Sequence, residues 1–287
     1  MEIYPFSRII SGTMNWGSWG VNYSTKEISE LIKCAYENGI NSFDHADIYG
    51  GYTTEEAFGK AFKLSGIERE KVIFISKCGI MYPCEKLQID VKHYDYSKSH
   101  IIKSVENSLN NLNTDYLDSL LLHRPSPIMD INEIGDTIDY LMDKKMIKSF
   151  GVSNFTVSQM SLIEKHLKIS FNQINFSLTN YEPMFDGTLD YMQINNIKPM
   201  AYSPLGSFFS SDNNLLIEKI DKMCSKYSCS QDEILISWIL KHESKIYPVI
   251  GTTKKDRIIR SSRVEEIKIE LIDWFELLEA SMGKRLP

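Results

Sequence analysis

The chain has 287 residues, of which 43% are hydrophobic and 24% charged, so a sizeable core can be buried and disorder is not expected. Its net charge of −6 leaves no basic excess to displace counterions from phosphates, which argues against a general nucleic-acid binder. Five cysteines, at 34, 78, 84, 224 and 229, are odd in number and form no Cys-x-x-Cys pair, so neither a disulfide framework nor a metal site is expected.

Short apolar runs alternate with amphipathic stretches along the whole length. The first strand is predicted at Arg8–Gly12, with a helix over 25–38. Asn41–Phe43 and a helix over 54–64 follow. Val72–Ser76 is the third strand, and the next helix waits until 98–112. Leu117–Leu122 precedes a helix over 131–144, and Ile147–Gly151 precedes one over 157–166. Phe171–Asn175 is followed by about 186–195, Lys198–Ala201 by 215–227, and Ile246–Ile250 by 255–262. Strand–helix alternation implies parallel pairing with right-handed crossovers, and eight such units suggest a (β/α)8 TIM barrel. The segments 231–241 and 271–281 read as extra helices outside the eightfold repeat. No linker or composition break divides the chain, so one barrel domain over 1–287 is expected.

Capping chemistry marks several helix starts. Ser24 with Glu27, Thr53 with Glu56 and Ser230 with Glu233 all fit the capping box, which satisfies two free backbone N–H groups reciprocally. Residues 79–97 break the pattern of short connections. A loop that long after the third strand of a barrel is expected to serve function, on the face where barrel enzymes place their sites.

The N-terminus lacks a basic region followed by an apolar run, so no signal peptide is expected, and no uninterrupted apolar stretch would span a bilayer. Asn154 and Asn175 match the glycosylation pattern, but without secretion the match carries nothing. A cytoplasmic protein with reduced thiols is the simplest reading.

Five segments place polar residues where strands are predicted to end. They contain Asp44 and Tyr49, then Lys77, His123, Ser153 with Asn154, and Tyr202 with Ser203. Reducing a carbonyl needs hydride at carbon and a proton at oxygen, where negative charge grows in the transition state. Tyr alone is a poor acid at neutral pH; a nearby ammonium favours phenolate, a carboxylate can hold the ammonium, and an imidazole N–H can aim the carbonyl. Adjacent strands lie roughly 5 Å apart, so Asp44, Tyr49, Lys77 and His123 should converge at the carboxyl-end mouth. Each residue alone reads more simply as a cap, a surface cation or a turn. Their joint placement carries the argument.

In that order, Asp, Tyr, Lys, His and Ser-Asn, the chain resembles the aldo-keto reductase family. The similarity runs from Gly12 to the C-terminal helix and is greatest with a bacterial oxidoreductase branch, through the segments at 44–51, 76–80 and 123–125. The resemblance implies Tyr49 as proton donor, Lys77 tuning it, Asp44 positioning Lys77 and His123 orienting the carbonyl. It implies NADP(H) as cofactor and a small carbonyl compound as substrate. Gly12, Thr13, Met14 and Asp44 would border the cofactor, and Ser153, Asn154 and Gln173 would hold the carboxamide. Tyr202 would stack on the nicotinamide, and Ser203, Pro204, Leu205, Gly206 and Ser207 would wrap the pyrophosphate. In the densest basic segment Thr252, Lys254 and Arg257 would receive the adenosine 2′-phosphate, with Gly251 and Thr253 beside the cofactor.

No Gly-x-Gly-x-x-Gly follows a strand, so a Rossmann fold is not indicated. Arg260 and Ser261 stand where relatives carry an acid and an amide, which leaves the adenine contacts open. His45 replaces a more usual small residue and Met14 a more usual Trp, and both are expected to alter the pocket wall. Trp16, Trp19, Tyr82, Tyr94, Arg124, Phe208 and Phe209 are candidates for the substrate wall. Three alternatives stand beside this reading. The site could oxidise alcohols, the chain could be a cofactor-binding regulatory subunit, or His123 and Asp44 could serve a barrel hydrolase. Oligomeric state is not readable.

Overall fold

The structure, a computed structural model, describes residues 6–286, so the outer ends of the expected domain, 1–5 and 287, lie outside the described residues. The strands are β1 (Ile10–Gly12), β2 (Ser42–Asp44), β3 (Ile73–Cys78), β4 (Ile80–Met81), β5 (His93–Tyr94), β6 (Ser119–Leu122), β7 (Phe150–Ser153), β8 (Phe171–Asn175), β9 (Lys198–Tyr202) and β10 (Tyr247–Ile250). All except β4 and β5 form a closed parallel barrel, in which β10 returns to pair with β1. The helices are α1 (Thr25–Glu37), α2 (Thr54–Ser65), α3 (Lys98–Leu112), α4 (Ile131–Asp143), α5 (Val157–Ile163), α6 (Thr188–Ile194), α7 (Asn214–Tyr227), α8 (Gln231–Leu240), α9 (Lys255–Ser262) and α10 (Leu271–Met282). The (β/α)8 barrel expected from the alternation is therefore present, with α8 and α10 as additions.

Barrel strands are covered on both faces, which is why they read as continuous apolar runs. Ile10, Ile73, Ile75, Leu121, Phe171, Met200 and Val249 point inward and fill the barrel. The outward faces meet helix stripes such as Ile28, Leu31, Ile32 and Ala35 of α1, at the i, i+3, i+4, i+7 spacing of one helical face. Several strands sit one or two residues later than expected. Leu117 and Ile147 form only an isolated bridge before β6 and β7 begin.

The boxes at Ser24 and Ser230 are formed. The one at Thr53 is not. Its hydroxyl donates to the Gly50 carbonyl at 2.7 Å, because the turn at Gly50 and Gly51 brings that carbonyl beneath it. The freed acids go elsewhere. Glu56 pairs with Lys60, and Glu55 turns inward to accept from Ser76 Oγ at 2.6 Å.

The segment 79–97 contains a two-stranded antiparallel sheet, β4 with β5, too short to show a period. It leaves the barrel at Gly79, whose φ of +104° and contact with Tyr96 both require glycine; a Cβ would lie 1.9 Å from the tyrosine ring. At the other end of the chain, Trp238 of α8 and Trp274 of α10 stack at 4.8 Å and 2°. Each indole N–H donates to the other residue's carbonyl, at 3.1 and 2.9 Å.

Candidate active site

Three neighbouring strand ends, of β2, β3 and β6, build the floor of the site. Lys77, on β3, is wholly buried, and its ammonium donates to Asp44 Oδ2 at 2.7 Å, His45 O at 2.8 Å and Tyr49 Oη at 3.2 Å. All three N–H bonds are thus directed. Asp44 ends β2, and its second oxygen accepts from Gln173 Nε2 of β8 across the barrel at 2.8 Å. Tyr49 lies in the short turn after β2, and His123 directly follows β6. Their rings meet edge to face with centroids 5.9 Å apart. The four residues expected to converge do so.

The electrostatics correct one expectation. Lys77 pulls the Tyr49 phenol down, but burial outweighs it, with Asp44 acting in the same sense, and the phenol lies above its ordinary range. Burial likewise lowers Lys77, yet Asp44 and Tyr49 more than restore its charge, so it is held cationic. Burial, then Lys77, Arg124 and Lys92, drive His123 well below the ordinary imidazole range. At neutral pH the site holds a neutral imidazole beside a protonated phenol.

Beneath this floor lies a second titratable group. Asp47 accepts from Ile48 N at 2.7 Å and from Ser104 Oγ at 2.8 Å. Burial, and then Glu55, push its carboxyl up to about 8. Glu55 is also raised by burial, against hydrogen bonds from Ser76, Ser108 and Asn111.

From the floor a cavity of about 850 Å³ runs along the carboxyl ends of the strands. One arm passes Ser153, Asn154, Gln173 and Tyr202 and continues over Ser203, Pro204, Leu205 and Gly206 to Gly251, Thr252, Arg257 and Ser261. Asn154 and Ser203, at the ends of β7 and β9, both hold positive φ, +61° and +51°, and such conformations concentrate at functional sites. Gly206, at φ +55°, packs against Thr179, where a Cβ would be 2.0 Å from the hydroxyl.

This arm suits a dinucleotide. Gln173 lines the cavity with Nε2 committed to Asp44, which leaves its amide oxygen as an acceptor. Asn154 donates to Ser153 Oγ at 2.9 Å and accepts from Tyr202 Oη at 2.8 Å, retaining one amide N–H for an incoming carbonyl. Donor and acceptor together match a carboxamide. At the far end, Thr252 and the exposed Arg257 flank the start of α9, where free backbone N–H groups favour an anion.

Thr13, Ser207, Thr253 and Lys254 were expected along this arm but do not form its wall. Thr13 is buried, bonded to Asp44 O and His45 Nδ1. The remaining cofactor candidates, Gly12, Met14 and Asp44 among them, line the cavity. His45 does not alter the pocket, because alternation along the strand turns it outward against Phe58 at 4.3 Å. Trp16 also leaves the wall. It is fully buried, and its indole donates to Thr252 O at 2.9 Å. Tyr94 and Phe208 do not form the wall of the main cavity, and Phe209 lines a smaller one beside the cofactor arm. Trp19, Tyr82 and Arg124 do line the cavity, joined by Lys92 and Ile80, which the sequence reading missed. So does Asp232 of α8, which pairs with Arg260 at 3.2 Å, while Lys255 pairs with Glu30 at 2.7 Å. Much of the basic segment is therefore neutralised, and Arg257 keeps the cavity side.

A closed parallel barrel with a buried Lys–Asp pair beneath a Tyr and a His, opening into a trench shaped for a dinucleotide, is the architecture of a barrel oxidoreductase. Residues 8–277 match the model of the Aldo/keto reductase family, and the chain belongs to that family. It is 39% identical to the uncharacterized oxidoreductase YcsN of Bacillus subtilis over 100% of this chain and 98% of that one. It is 35% identical to a 6-dehydroglucose reductase of Agrobacterium fabrum, covering 98% and 96%. Among solved structures, an aldo/keto reductase from Klebsiella pneumoniae, in complex with NADP and acetate, superposes with a TM-score of 0.81 at 22% identity, covering 98% and 93%. At that identity the likeness shows the fold. No helix among the described residues is long and apolar enough to cross a membrane.

Proposed function

We propose that this protein reduces an aldehyde or ketone to the alcohol with NADPH. Tyr49 gives its proton to the carbonyl oxygen, Lys77 holds and polarises the phenol, Asp44 positions Lys77, and His123 orients the substrate. The single observation that carries this reading is the three-way bonding of the Lys77 ammonium to Asp44, His45 O and Tyr49, in a buried floor beside a neutral His123. The bound nicotinamide supplies hydride. Asn154, Ser153 and Gln173 hold its carboxamide, Tyr202 faces its ring, and Thr252 with Arg257 receives the 2′-phosphate.

A raised phenol keeps its proton until a growing oxyanion takes it, which suits reduction at neutral pH. Neutral His123 can donate one ring N–H to the carbonyl without adding a second cation to the floor. The relative named as a 6-dehydroglucose reductase supports a small polar carbonyl compound as the substrate. Tyr49→Phe tests the assignment, because the ring is kept and only the proton donor is removed. Fluorescence titration should find cofactor binding retained, and NADPH absorbance should show turnover lowered on the order of 10²–10⁴-fold. Turnover near that of the parent would refute Tyr49 as donor.

A further inference from the structure

The substrate end of the cavity carries two cations that the reduction itself does not use. Arg124 and Lys92 both line it, Arg124 immediately after His123 and Lys92 from the connection between β4 and β5. No hydrogen bond or ion pair engages either side-chain head among the described residues. The other charged residues lining the same cavity are differently placed. Asp44 is bonded to Lys77, Asp232 to Arg260, and Arg257 stands at the far arm. Arg124 is also held in place. The Tyr96 hydroxyl accepts from its backbone N–H at 3.2 Å and donates to its carbonyl, so the backbone that presents the guanidinium is fixed at both polar atoms. Both cations depress His123, which places their field at the carbonyl-orienting imidazole. An unpaired pair of cations at the mouth of a protein with net charge −6 is a local reversal of sign, and such a reversal in a cleft concentrates anions.

The wall of the same cavity beside Tyr49 is aromatic. Trp19 packs on Tyr49 at 6.2 Å and on Tyr82 at 5.2 Å. One cavity thus holds a candidate proton donor, an aromatic surface and two cations without a side-chain partner. Building on the carbonyl-reductase reading, we propose that the substrate is an aldehyde or ketone bearing a carboxylate or phosphate beyond its carbonyl, and that Arg124 and Lys92 receive that group. Arg supplies a planar fork that matches either anion, and Lys a mobile point charge. The reaction balances without the anion. Hydride with its two electrons goes from NADPH to the carbonyl carbon, the Tyr49 proton goes to oxygen, the phenolate regains a proton from water, NADP⁺ leaves, and the anionic tail is unchanged.

The test uses paired substrates with and without the anion, nearly identical in shape in the first pair. With NADPH in excess, kcat/KM is measured for 4-carboxybenzaldehyde against its neutral amide, 4-formylbenzamide. A second arm compares D-glyceraldehyde 3-phosphate with D-glyceraldehyde. A preference in one arm alone identifies the anion, and either supports the proposal. The charged compound should be favoured roughly tenfold or more at low salt, mainly through KM, as expected for binding made equally in ground and transition states. The ratio should shrink with added salt and fall toward one in Arg124→Gln and Lys92→Gln. Equal kcat/KM for charged and neutral partners in both arms would overturn the proposal while leaving the reductase reading standing. If no carbonyl compound is turned over, the reductase reading fails, and calorimetric titration decides the anion site. Tighter binding of the acid than of the amide to the NADP⁺-loaded protein, lost in Arg124→Gln, supports it; equal binding overturns it.

Discussion

Replacing Lys77 with Met separates what the floor of the site does for stability from what it does for chemistry. The Lys77–Asp44 pair is 2.7 Å long with side chains 0% and 3% exposed. Water cannot take over the solvation of whichever partner remains. Breaking such a pair from one side costs about 3–5 kcal/mol, against a total stability of roughly 5–15 kcal/mol for an ordinary domain. Lys77→Met should therefore fold but unfold at clearly lower urea. The remaining buried carboxylate is the cause, so removing its charge as well should undo the loss. In Lys77→Met with Asp44→Asn, the Asn oxygen still accepts from Gln173 Nε2, and only a neutral amide is left facing the methionine. Most of the lost stability should return, leaving a deficit of about 1–2 kcal/mol. Turnover should not return, since neither variant holds an ammonium on Tyr49. Urea unfolding followed by circular dichroism, together with NADPH consumption, reads both quantities. A single variant within about 1 kcal/mol of the parent would refute the claim that the pair is desolvated. A double variant with parental turnover would refute the role given to Lys77.

Asp47 links stability to pH. Its carboxyl is raised to about 8 by burial and by Glu55, against an ordinary unfolded value near 4. The folded state therefore keeps a proton that the unfolded chain gives up, and stability present at low pH is lost as pH rises through 8, by at most about 1.4 kcal/mol per unit from this group. Asp47→Asn should flatten the dependence of the urea midpoint between pH 5.5 and 7.5, and an unchanged slope would refute the assignment. At the cofactor's far end, Arg257→Ala should weaken NADPH binding roughly tenfold or more and leave NADH nearly untouched, the effect of losing one charged hydrogen bond. Equal losses for both cofactors, by fluorescence titration, would make Arg257 structural.

The barrel was legible because its strands are apolar on both faces and end on polar residues, and strand ends are where a barrel makes neighbours of distant sequence positions. Asp44, Lys77 and His123 could be placed by that rule alone. Side chains that reach the cavity from elsewhere could not. Asp232 arrives from α8 and Lys92 from the connection between two strands of two residues each, and neither carries a local pattern. Direction was the other loss. His45 and Trp16 look like pocket residues by position, yet one turns into the helix layer and the other caps the Thr252 carbonyl. The net rise of the Tyr49 phenol was hidden for a similar reason, since sequence names the ammonium beside it but not the depth of its burial.

The stacked indoles of Trp238 and Trp274 tie the last helix to the cofactor trench. α10 clasps α8, and α8 carries Asp232, which lines the trench and pairs with Arg260. Loosening the C-terminus should therefore be felt where adenosine would lie, although α10 never lines the cavity. Two nearly parallel chromophores 4.8 Å apart also couple their electronic transitions. Undocking α10 separates them, so the molecule's own tryptophan emission should report the coupling between its terminus and its cofactor arm without any label.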